Sequence, residues 1–438
     1  MPPLIILALA MTYKEALDFL YSQLPMFQRI GPAAFKKDLT RTRALCEQLG
    51  HPERKFRSVH IAGTNGKGSV SNMLAAVCTA AGLKTGLYTS PHYKDFRERI
   101  RIDGALMPKR AVSRFVEAMQ PLCATLEPSF FELTVAMAFD YFARQEVDVA
   151  IIETGLGGRL DSTNVVTPLL SIITNIDYDH QQFLGDTLPE IAAEKAGIIK
   201  PGIPVIIGQS QPETDAVFEK KARETGSPIQ FADRRFQVAP LRQNDSHVFY
   251  EVKENGKVLF KEMALNQLGP YQQFNLPTLL AAFYSLRKTL NLEERNLIDG
   301  LKNLKALTGF QGRWEFISRR PRILIDSAHN QAGVNLMVQN LQSQKFERLF
   351  IVLGVVQDKE LDKVLPLFPK NARYLFAKAD IPRGLDAQIL QEKAAAFGLK
   401  GKAYSSVRRA LAAAKRRANP SDDLILVGGS IFTVAEVV

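Results

Sequence analysis

Short runs of apolar residues alternate with longer stretches of helical periodicity from Ser58 onward. Apolar runs of four to eight residues between polar or glycine-rich segments are typical of buried strands, and a period near 3.6 residues is typical of helices. The alternation of the two predicts βαβ units on a parallel sheet. The predicted strands are 58–62, 85–88, 147–153, 170–175 and 205–208, and the predicted helices are 69–81, 109–122 and 132–144.

The second half of the chain changes its pattern twice. Residues 236–260 alternate apolar and polar positions with breaks at 243–246 and 254–256, which predicts antiparallel hairpins. A helix-rich stretch at 277–306 leads into a loop at 308–313, and a second βα series follows with strands at 323–326, 349–353, 374–377 and 424–427. We therefore expect an α/β fold with a doubly wound parallel-sheet domain at 1–311 and a smaller, Rossmann-like α/β domain at 312–438.

Length and composition agree with this division. A chain of 438 residues with 46% hydrophobic and 23% charged residues is globular and long enough for two domains. Cys46, Cys78 and Cys123 are far apart, so neither a zinc site nor a disulfide framework is expected, and a reducing cytoplasm fits best. The apolar run at 4–10 is too short to cross a membrane, and we expect residues 1–10 to be an unstructured extension or an overlong start.

The most specific local signal is a glycine-rich loop between a predicted strand and a predicted helix. The loop consists of Gly63, Thr64, Asn65, Gly66, Lys67, Gly68 and Ser69. Such glycines let backbone N–H groups turn toward phosphate oxygens, and the helix N-terminus adds a partial positive charge. Lys67 is expected to reach the β and γ phosphates and Ser69 a bound Mg²⁺, although the spacing is not that of the ordinary P-loop.

Polar side chains also follow three predicted strands. Ser90 follows the predicted strand 85–88, Glu153 ends the strand 147–153, and His180 follows the strand 170–175. Ligands of open α/β sheets bind beyond the carboxyl ends of the strands, so these residues form a candidate Mg²⁺ site. A structural role for His180 is the alternative. Lys195 lies near the end of a predicted helix, where a lysine ordinarily complements the helix dipole.

With these segments assembled, the chain resembles the folylpolyglutamate synthase and dihydrofolate synthase family, relatives of the Mur ligases. The resemblance extends from about Met11 to Val438. Its motifs are Gly63–Ser69, Thr89–His92, Glu153 with Gly155–Asn164, Asp179–His180, Glu194–Gly197, Gln272–Asn275, Gly312–Arg313, Asp326–Asn330 and Asp358–Lys359.

The resemblance implies a role for each matching position. The loop would hold the ATP phosphates, and Asn275, Arg313, Asp326 and His329 would complete the nucleotide site. Ser90, Glu153 and His180 match Mg²⁺ ligands, and Lys195 matches a lysine that is carbamylated and helps to hold a second Mg²⁺. Lys67, Lys195 and His180 are the expected catalytic residues.

A further segment matches the part of the family that holds a pteroate group. Ser129, Phe130, Phe131 and Glu132 offer aromatic rings for a flat substrate and a carboxylate for its N–H edge, and Leu160 and Asp161 match by position. Core packing is the alternative interpretation of the two phenylalanines.

The expected function is ATP-dependent addition of L-glutamate to dihydropteroate and to reduced folates. Folate polyglutamylation alone, a Mur-type ligase acting on a peptidoglycan precursor, and a simple phosphotransferase are the alternatives. The net charge of +11 lies mainly after residue 312, where 20 Lys and Arg face 12 Asp and Glu. We interpret it as a solvated helix face, and we expect a monomer with neither a nucleic-acid nor a membrane partner.

Overall fold

The computed structural model describes residues 11–26, 38–357 and 361–438. The expected extension at 1–10 and the Asp358–Lys359 motif lie outside these ranges. Within them, no helix is long and apolar enough to cross a membrane.

The first sheet has eight strands in the order β4-β3-β2-β5-β1-β6-β7-β8. Six neighbouring strands, β2, β5, β1, β6, β7 and β8, are parallel to one another. At the edge next to β2, the pairs β2–β3 and β3–β4 are antiparallel. This parallel core confirms the predicted βαβ organisation. The strands are β1 (Arg57–Ala62), β2 (Thr85–Tyr88), β3 (Ile100–Ile102), β4 (Ala105–Leu106), β5 (Val149–Glu153), β6 (Leu170–Ile173), β7 (Val205–Ile207) and β8 (Ile229–Phe231).

Helices cover both faces of this sheet. Val149 and Ile151 of β5 pack into one core with helices Lys67–Ala80 and Gln272–Leu286. The alternate residues of β5 point to the other face and pack with helices Lys109–Leu126 and Phe130–Arg144. Since successive side chains of a strand point to opposite faces, a strand buried on both sides is apolar along its length, as β5 is from Val149 to Ile152 before it ends at Glu153.

A small antiparallel sheet follows, as the hairpin pattern predicts. It consists of β9 (Phe236–Gln243), β10 (Val248–Glu254) and β11 (Lys257–Leu265), with β10 in the centre. One face of this small sheet is buried in the same core as helix Gln272–Leu286. The residues on that face include Tyr250, Val252 and Met263.

The second sheet has six strands in the order β12-β13-β17-β14-β15-β16. Only its edge strand β12 is antiparallel, so this part is also an α/β unit. The core that buries Val59 and Ile61 continues without a break to Leu324 and Ile351 of this sheet. The strands are β12 (Glu315–Arg319), β13 (Arg322–Asp326), β14 (Leu349–Leu353), β15 (Arg373–Ala377), β16 (Gly401–Tyr404) and β17 (Leu424–Gly428).

The remaining helical segments complete the layers around the sheets. They are Tyr13–Asp18, Phe19–Gln23, Thr40–Gln48, Pro52–Arg54, Phe96–Arg99, Ser162–Val165, Gln181–Leu184, Leu188–Ala196, Asp215–Thr225, Ala232–Arg235, Glu294–Lys302, Leu304–Thr308, Gln331–Gln342, Leu361–Val364, Leu365–Leu367, Ala387–Ala395, Val407–Arg417 and Ile431–Ala435. The predicted boundary between 311 and 312 lies in the loop between the end of helix Leu304–Thr308 and the start of β12 at Glu315.

Candidate active site

The glycine-rich loop folds as the sequence predicts, between the end of β1 and the helix that begins at Lys67. Gly66 is the N-cap of this helix with φ +87°, and Gly63 has φ +145°. A Cβ on Gly63 would lie 1.9 Å from Thr174 Oγ1, and one on Gly66 would lie 2.2 Å from Asn275 Oδ1. Both positions therefore require glycine, for backbone conformation and for space.

Two polar residues beyond the end of β6 hold the loop in place. Asn175 accepts hydrogen bonds through its backbone oxygen from Thr64 N (2.9 Å) and through Oδ1 from Asn65 N (2.7 Å). The backbone N–H of Asp177 donates to Thr64 Oγ1 (3.0 Å). Asn175 and Asp177 are not among the site residues that the sequence predicts, although both lie between the end of β6 and His180.

Both lysines of the site donate to the loop itself. Lys67 Nζ donates to Gly63 O (2.9 Å) and Thr64 O (3.1 Å), and Lys195 Nζ donates to Gly63 O (2.9 Å). Lys195 is 3% exposed, so it is not the surface residue that its position near a helix end suggests. Burial, with a smaller contribution from the charge of Lys67, lowers the pKa of Lys195 to about 7.

Glu153 and Ser90 meet beside the loop. The backbone N–H of Ser90 donates to Glu153 Oε2 (3.2 Å), and a Cβ on Gly68 would lie 3.8 Å from both carboxylate oxygens. Burial raises the pKa of Glu153 to about 7, against the opposing effect of Lys67. Ser90, Glu153, Gly68 and Arg313 line a small cavity of about 70 Å³.

A larger cavity of about 280 Å³ lies next to the small one, and Ser90 lines both. Its walls come from both sheets. The first domain contributes Ser90, Arg99, Ser129, Phe130, Phe131, Glu132, Leu160, Asp161 and His180 among others, and the second contributes His329, Val356, Arg383, Ser430, Ile431 and Phe432.

Ser129 and Glu132 begin the helix Phe130–Arg144 with a capping box. Glu132 Oε2 accepts from Ser129 N (2.7 Å), and Ser129 Oγ accepts from Glu132 N (3.2 Å). The second oxygen of this buried carboxylate, Oε1, has no hydrogen-bond partner in the described part of the chain. One oxygen of the Glu132 carboxylate therefore caps the helix, and the other is a buried acceptor without a hydrogen-bond partner among the described residues.

Asp161 lines the large cavity, but other parts of the chain use its carboxylate. Oδ2 accepts from the backbone N–H groups of Gly155 (2.9 Å) and Leu156 (2.8 Å), and Oδ1 accepts from the backbone and hydroxyl of Thr163. Asp161 thus fixes the glycine-rich turn after β5, a task that its position in the sequence did not reveal.

The second sheet brings the end of β13 to the phosphate loop. Asn330 Nδ2 donates to Asn65 Oδ1 (3.0 Å), although the two residues are 265 positions apart. Asp326 accepts from Trp314 N (2.9 Å), Ala328 N (2.8 Å) and Tyr271 Oη (3.1 Å), and it lines neither cavity described above.

The predicted residues thus fall into connected groups rather than one cluster. The loop, Asn275 and Lys195 form one group, and Ser90, Glu153 and Arg313 form a second at the small cavity. His180 and His329 share the large cavity with the 129–132 segment, and each imidazole lies within 3.8 Å of Asp179. Within the described ranges, no three His, Cys, Asp or Glu side chains form a preformed metal cluster.

Comparison with known proteins agrees with both the fold and the motifs. Residues 61–284 match the Mur ligase middle domain, and residues 312–431 match the Mur ligase glutamate ligase domain. The fold and the phosphate loop therefore define a ligase of the Mur type.

Relatives of known name narrow this class. The chain is 35% identical to a folylpolyglutamate synthase of Lacticaseibacillus casei, over 98% of each chain. It is 32% identical to the dihydrofolate synthase/folylpolyglutamate synthase of Bacillus subtilis, over 97% of this chain and 98% of that protein. The Escherichia coli FolC structure in complex with DHPP and ADP superposes with a TM-score of 0.84 at 29% identity, over 98% of this chain and 97% of that one. The chain belongs to the folylpolyglutamate synthase and dihydrofolate synthase family, which confirms the resemblance seen in its motifs.

Proposed function

We propose that this protein uses ATP to add L-glutamate to dihydropteroate and to reduced folates. The observation that carries the proposal is that Ser90 lines both cavities. The large, partly aromatic cavity therefore adjoins the small cavity at the phosphate loop. A flat substrate in the large cavity could place its carboxylate at the loop, where a phosphoryl group would be transferred.

Binding of ATP phosphates by residues Gly63–Ser69 is supported by the loop geometry. The positive φ angles turn the backbone inward at the N-terminus of the helix, where N–H groups and the helix dipole favour anions. Lys67 donates to two loop carbonyls and would exchange these hydrogen bonds for ones to phosphate oxygens. Arg313, Asn275, Asp326 and His329 are proposed to complete the nucleotide site.

The residues present also fit a Mg²⁺ ion. Glu153 is a carboxylate whose pKa is raised by burial, despite the opposing effect of Lys67, and the backbone N–H of Ser90 donates to it. A hard cation with oxygen ligands would favour the charged form of this carboxylate. We assign Ser90, Glu153 and His180 as the residues that would hold the ion, which would supply charge neutralisation at the transferred phosphoryl group.

A carbamate on Lys195 is supported by the burial of this residue next to the loop. Only a neutral amine can attack CO₂, and burial increases the neutral fraction of Lys195. The product is an anion in place of a cation, and it would help to hold a second Mg²⁺.

The proposed reaction has two steps. An oxygen of the substrate carboxylate attacks the γ phosphorus of ATP, the bond to the β–γ bridging oxygen breaks, and ADP leaves. The amino nitrogen of L-glutamate then attacks the acyl carbon of the acyl phosphate, and phosphate leaves with the carbon–oxygen bonding pair while the nitrogen loses a proton. Lys67 would stabilise the charge on the phosphoryl oxygens. Arg383, on the wall contributed by the second domain, offers a cation for the carboxylates of L-glutamate.

The decisive experiment measures glutamate-dependent ADP formation separately with dihydropteroate and with tetrahydrofolate. Turnover with both supports both activities, and turnover with tetrahydrofolate alone leaves folate polyglutamylation as the only function. ADP formation that does not require glutamate would indicate a phosphotransferase. A cytoplasmic location, a monomeric state and the lack of a nucleic-acid partner stay predictions.

A further inference from the structure

Arg99 is a buried cation on the wall of the large cavity. It ends the helical segment Phe96–Arg99, and its backbone oxygen accepts a hydrogen bond from Thr89 N (3.1 Å), which places it beside the strand end that carries Ser90. The residue is only 3% exposed, yet it contributes to the cavity surface. The motifs of the sequence do not single it out.

No carboxylate of the described residues pairs with the charge of Arg99. Its Nε donates to His92 Nδ1 (2.8 Å), and a ring nitrogen that accepts a hydrogen bond carries no proton, so this contact orients the guanidinium without neutralising it. Within the described residues, no carboxylate lies at ion-pair distance from Arg99, and the buried Tyr88 hydroxyl lies beside its guanidinium. His92 and Tyr88 are neutral and do not cancel the charge, so Arg99 on the cavity wall is suited to bind the acceptor atoms of a ligand.

Neighbouring rings restrict where that acceptor can lie. The Arg99 guanidinium lies over the ring of Phe130 at 5.2 Å from its centroid, and Tyr21 stacks on the same ring at 5.7 Å. Because an aromatic ring covers one face of the guanidinium, its N–H groups are directed to acceptors in its own plane. A planar ligand that extends the aromatic stack would present such acceptors along its edge.

We propose that Arg99 binds the pterin ring of dihydropteroate, donating from its terminal nitrogens to the carbonyl oxygen O4 and to the ring nitrogen N5, which carries no hydrogen in the dihydro form. This inference rests on the proposed function. These two acceptors lie side by side on one edge of the ring, in the same arrangement as the O6 and N7 atoms of guanine, which arginine binds with two hydrogen bonds. The substrate carboxylate, in contrast, has to reach Lys67 at the phosphate loop. Arg99 is thus a specificity-determining residue for the pterin.

The test compares Arg99→Met with the matched control Arg97→Met. Arg97 belongs to the same helical segment but forms an ion pair with Asp95 at 2.7 Å and lines neither cavity described above. Each protein is assayed with dihydropteroate and with 2,4-diaminopteroate, in which an amino group replaces the carbonyl at position 4. We expect Arg99→Met to raise the KM for dihydropteroate about 10- to 100-fold, as expected for loss of hydrogen bonds from a charged group, with the KM for ATP unchanged. Arg97→Met should retain the wild-type KM values.

The ring analogue identifies the atoms involved. Wild-type protein should discriminate against 2,4-diaminopteroate, because its amino group donates toward Arg99, and Arg99→Met should lose that discrimination. An equal loss of affinity for both compounds would assign Arg99 to the substrate carboxylate and overturn the proposal, as would an unchanged KM for dihydropteroate. If Arg99→Met does not fold, Arg99→Lys keeps the charge without the paired donors and should still lose discrimination. Calorimetric binding of dihydropteroate to each protein, without ATP, separates failure of this inference from failure of the proposed ligase reaction.

Discussion

Lys195 and Gly63 are 132 residues apart in the chain, yet Lys195 Nζ donates a hydrogen bond of 2.9 Å to the backbone oxygen of Gly63. The contact joins the end of helix Leu188–Ala196 to the first residue of the phosphate loop. A charge on Lys195 therefore acts on the loop from a buried position, where water screens it little.

Replacement of Lys195 by alanine should abolish glutamate-dependent ADP formation. The substitution removes the only amine that the proposed carbamate could form on, while the backbone of the helix can remain intact. A small carboxylate such as formate or acetate added to the assay should restore part of the activity. The measurement is steady-state turnover of Lys195→Ala with and without carboxylate, and full activity of the unrescued variant would contradict the assignment.

The same residue should make stability depend on pH. The pKa of Lys195 is about 7 in the folded protein and has an ordinary value of 10.5. Between these values the unfolded chain binds more protons than the folded chain, so stability rises with pH across this window, by up to about 1.4 kcal/mol per pH unit. Below the folded pKa, Lys195 is charged in both states, and its burial as a cation lowers the free energy of unfolding by a constant amount.

Lys195→Met lacks this titrating group and provides the comparison. It should be more stable than the wild type at a pH below 7, and its advantage should shrink as the pH rises toward 10.5. Urea titrations in CO₂-depleted buffer measure the difference at each pH. A stability difference that is constant across the window would show that Lys195 does not titrate there.

Gly66→Ala should remove nucleotide binding without unfolding the protein. The new Cβ would lie 2.2 Å from Asn275 Oδ1 at a residue with φ +87°. Gly82 is a matched control because its φ is +78° and nothing lies within 4 Å of its Cβ position. Both variants carry a similar backbone strain of about 1 kcal/mol, but only Gly66→Ala should lose ADP binding in calorimetry. Equal ADP affinity in both variants would argue against the loop as the phosphate site.

Asn330→Asp tests the contact between the second domain and the loop. Asn330 Oδ1 caps helix Gln331–Gln342 by accepting from Gly333 N (2.8 Å), and its Nδ2 donates to Asn65 Oδ1 (3.0 Å). Aspartate keeps the capping oxygen but replaces the donor with an oxygen that repels Asn65. We expect a melting temperature close to the wild type and a fall in kcat/KM for ATP of roughly 5- to 20-fold. An unchanged kcat/KM would show that the contact does not contribute to the active conformation.

The sequence predicts the central strands well because they are buried on both faces and mainly apolar, as residues 149–152 of β5 show. It does not predict β3, β4, β8, β12 or β16, since strands of two to five residues at or next to sheet edges carry little periodicity. Helix Lys109–Leu126 continues past its predicted end at 122 although Pro121 lies inside it. Apolar packing of the helix outweighs the local preference of one residue.

The site divides in the same way. Motifs identify residues whose chemistry is unusual in its local context, such as Gly63–Ser69 and Glu153. They cannot reveal Arg99 or Asn175, since the importance of these residues arises from neighbours distant in sequence. They also do not show that the carboxylate of Asp161 is already occupied by backbone donors, because only the folded chain brings those donors to it.

The walls of the large cavity come from both sheets, and this restricts how the protein can be recombined with its relatives. A chimera that takes residues after 312 from another member would build the core that joins the two sheets from two different sequences. Its cavity would combine walls from two different proteins. His180 and Phe130 would then share the cavity with the other member's residues at positions 329 and 383. Substrate preference is therefore a property of the matched pair of domains, and neither half can be exchanged without altering it.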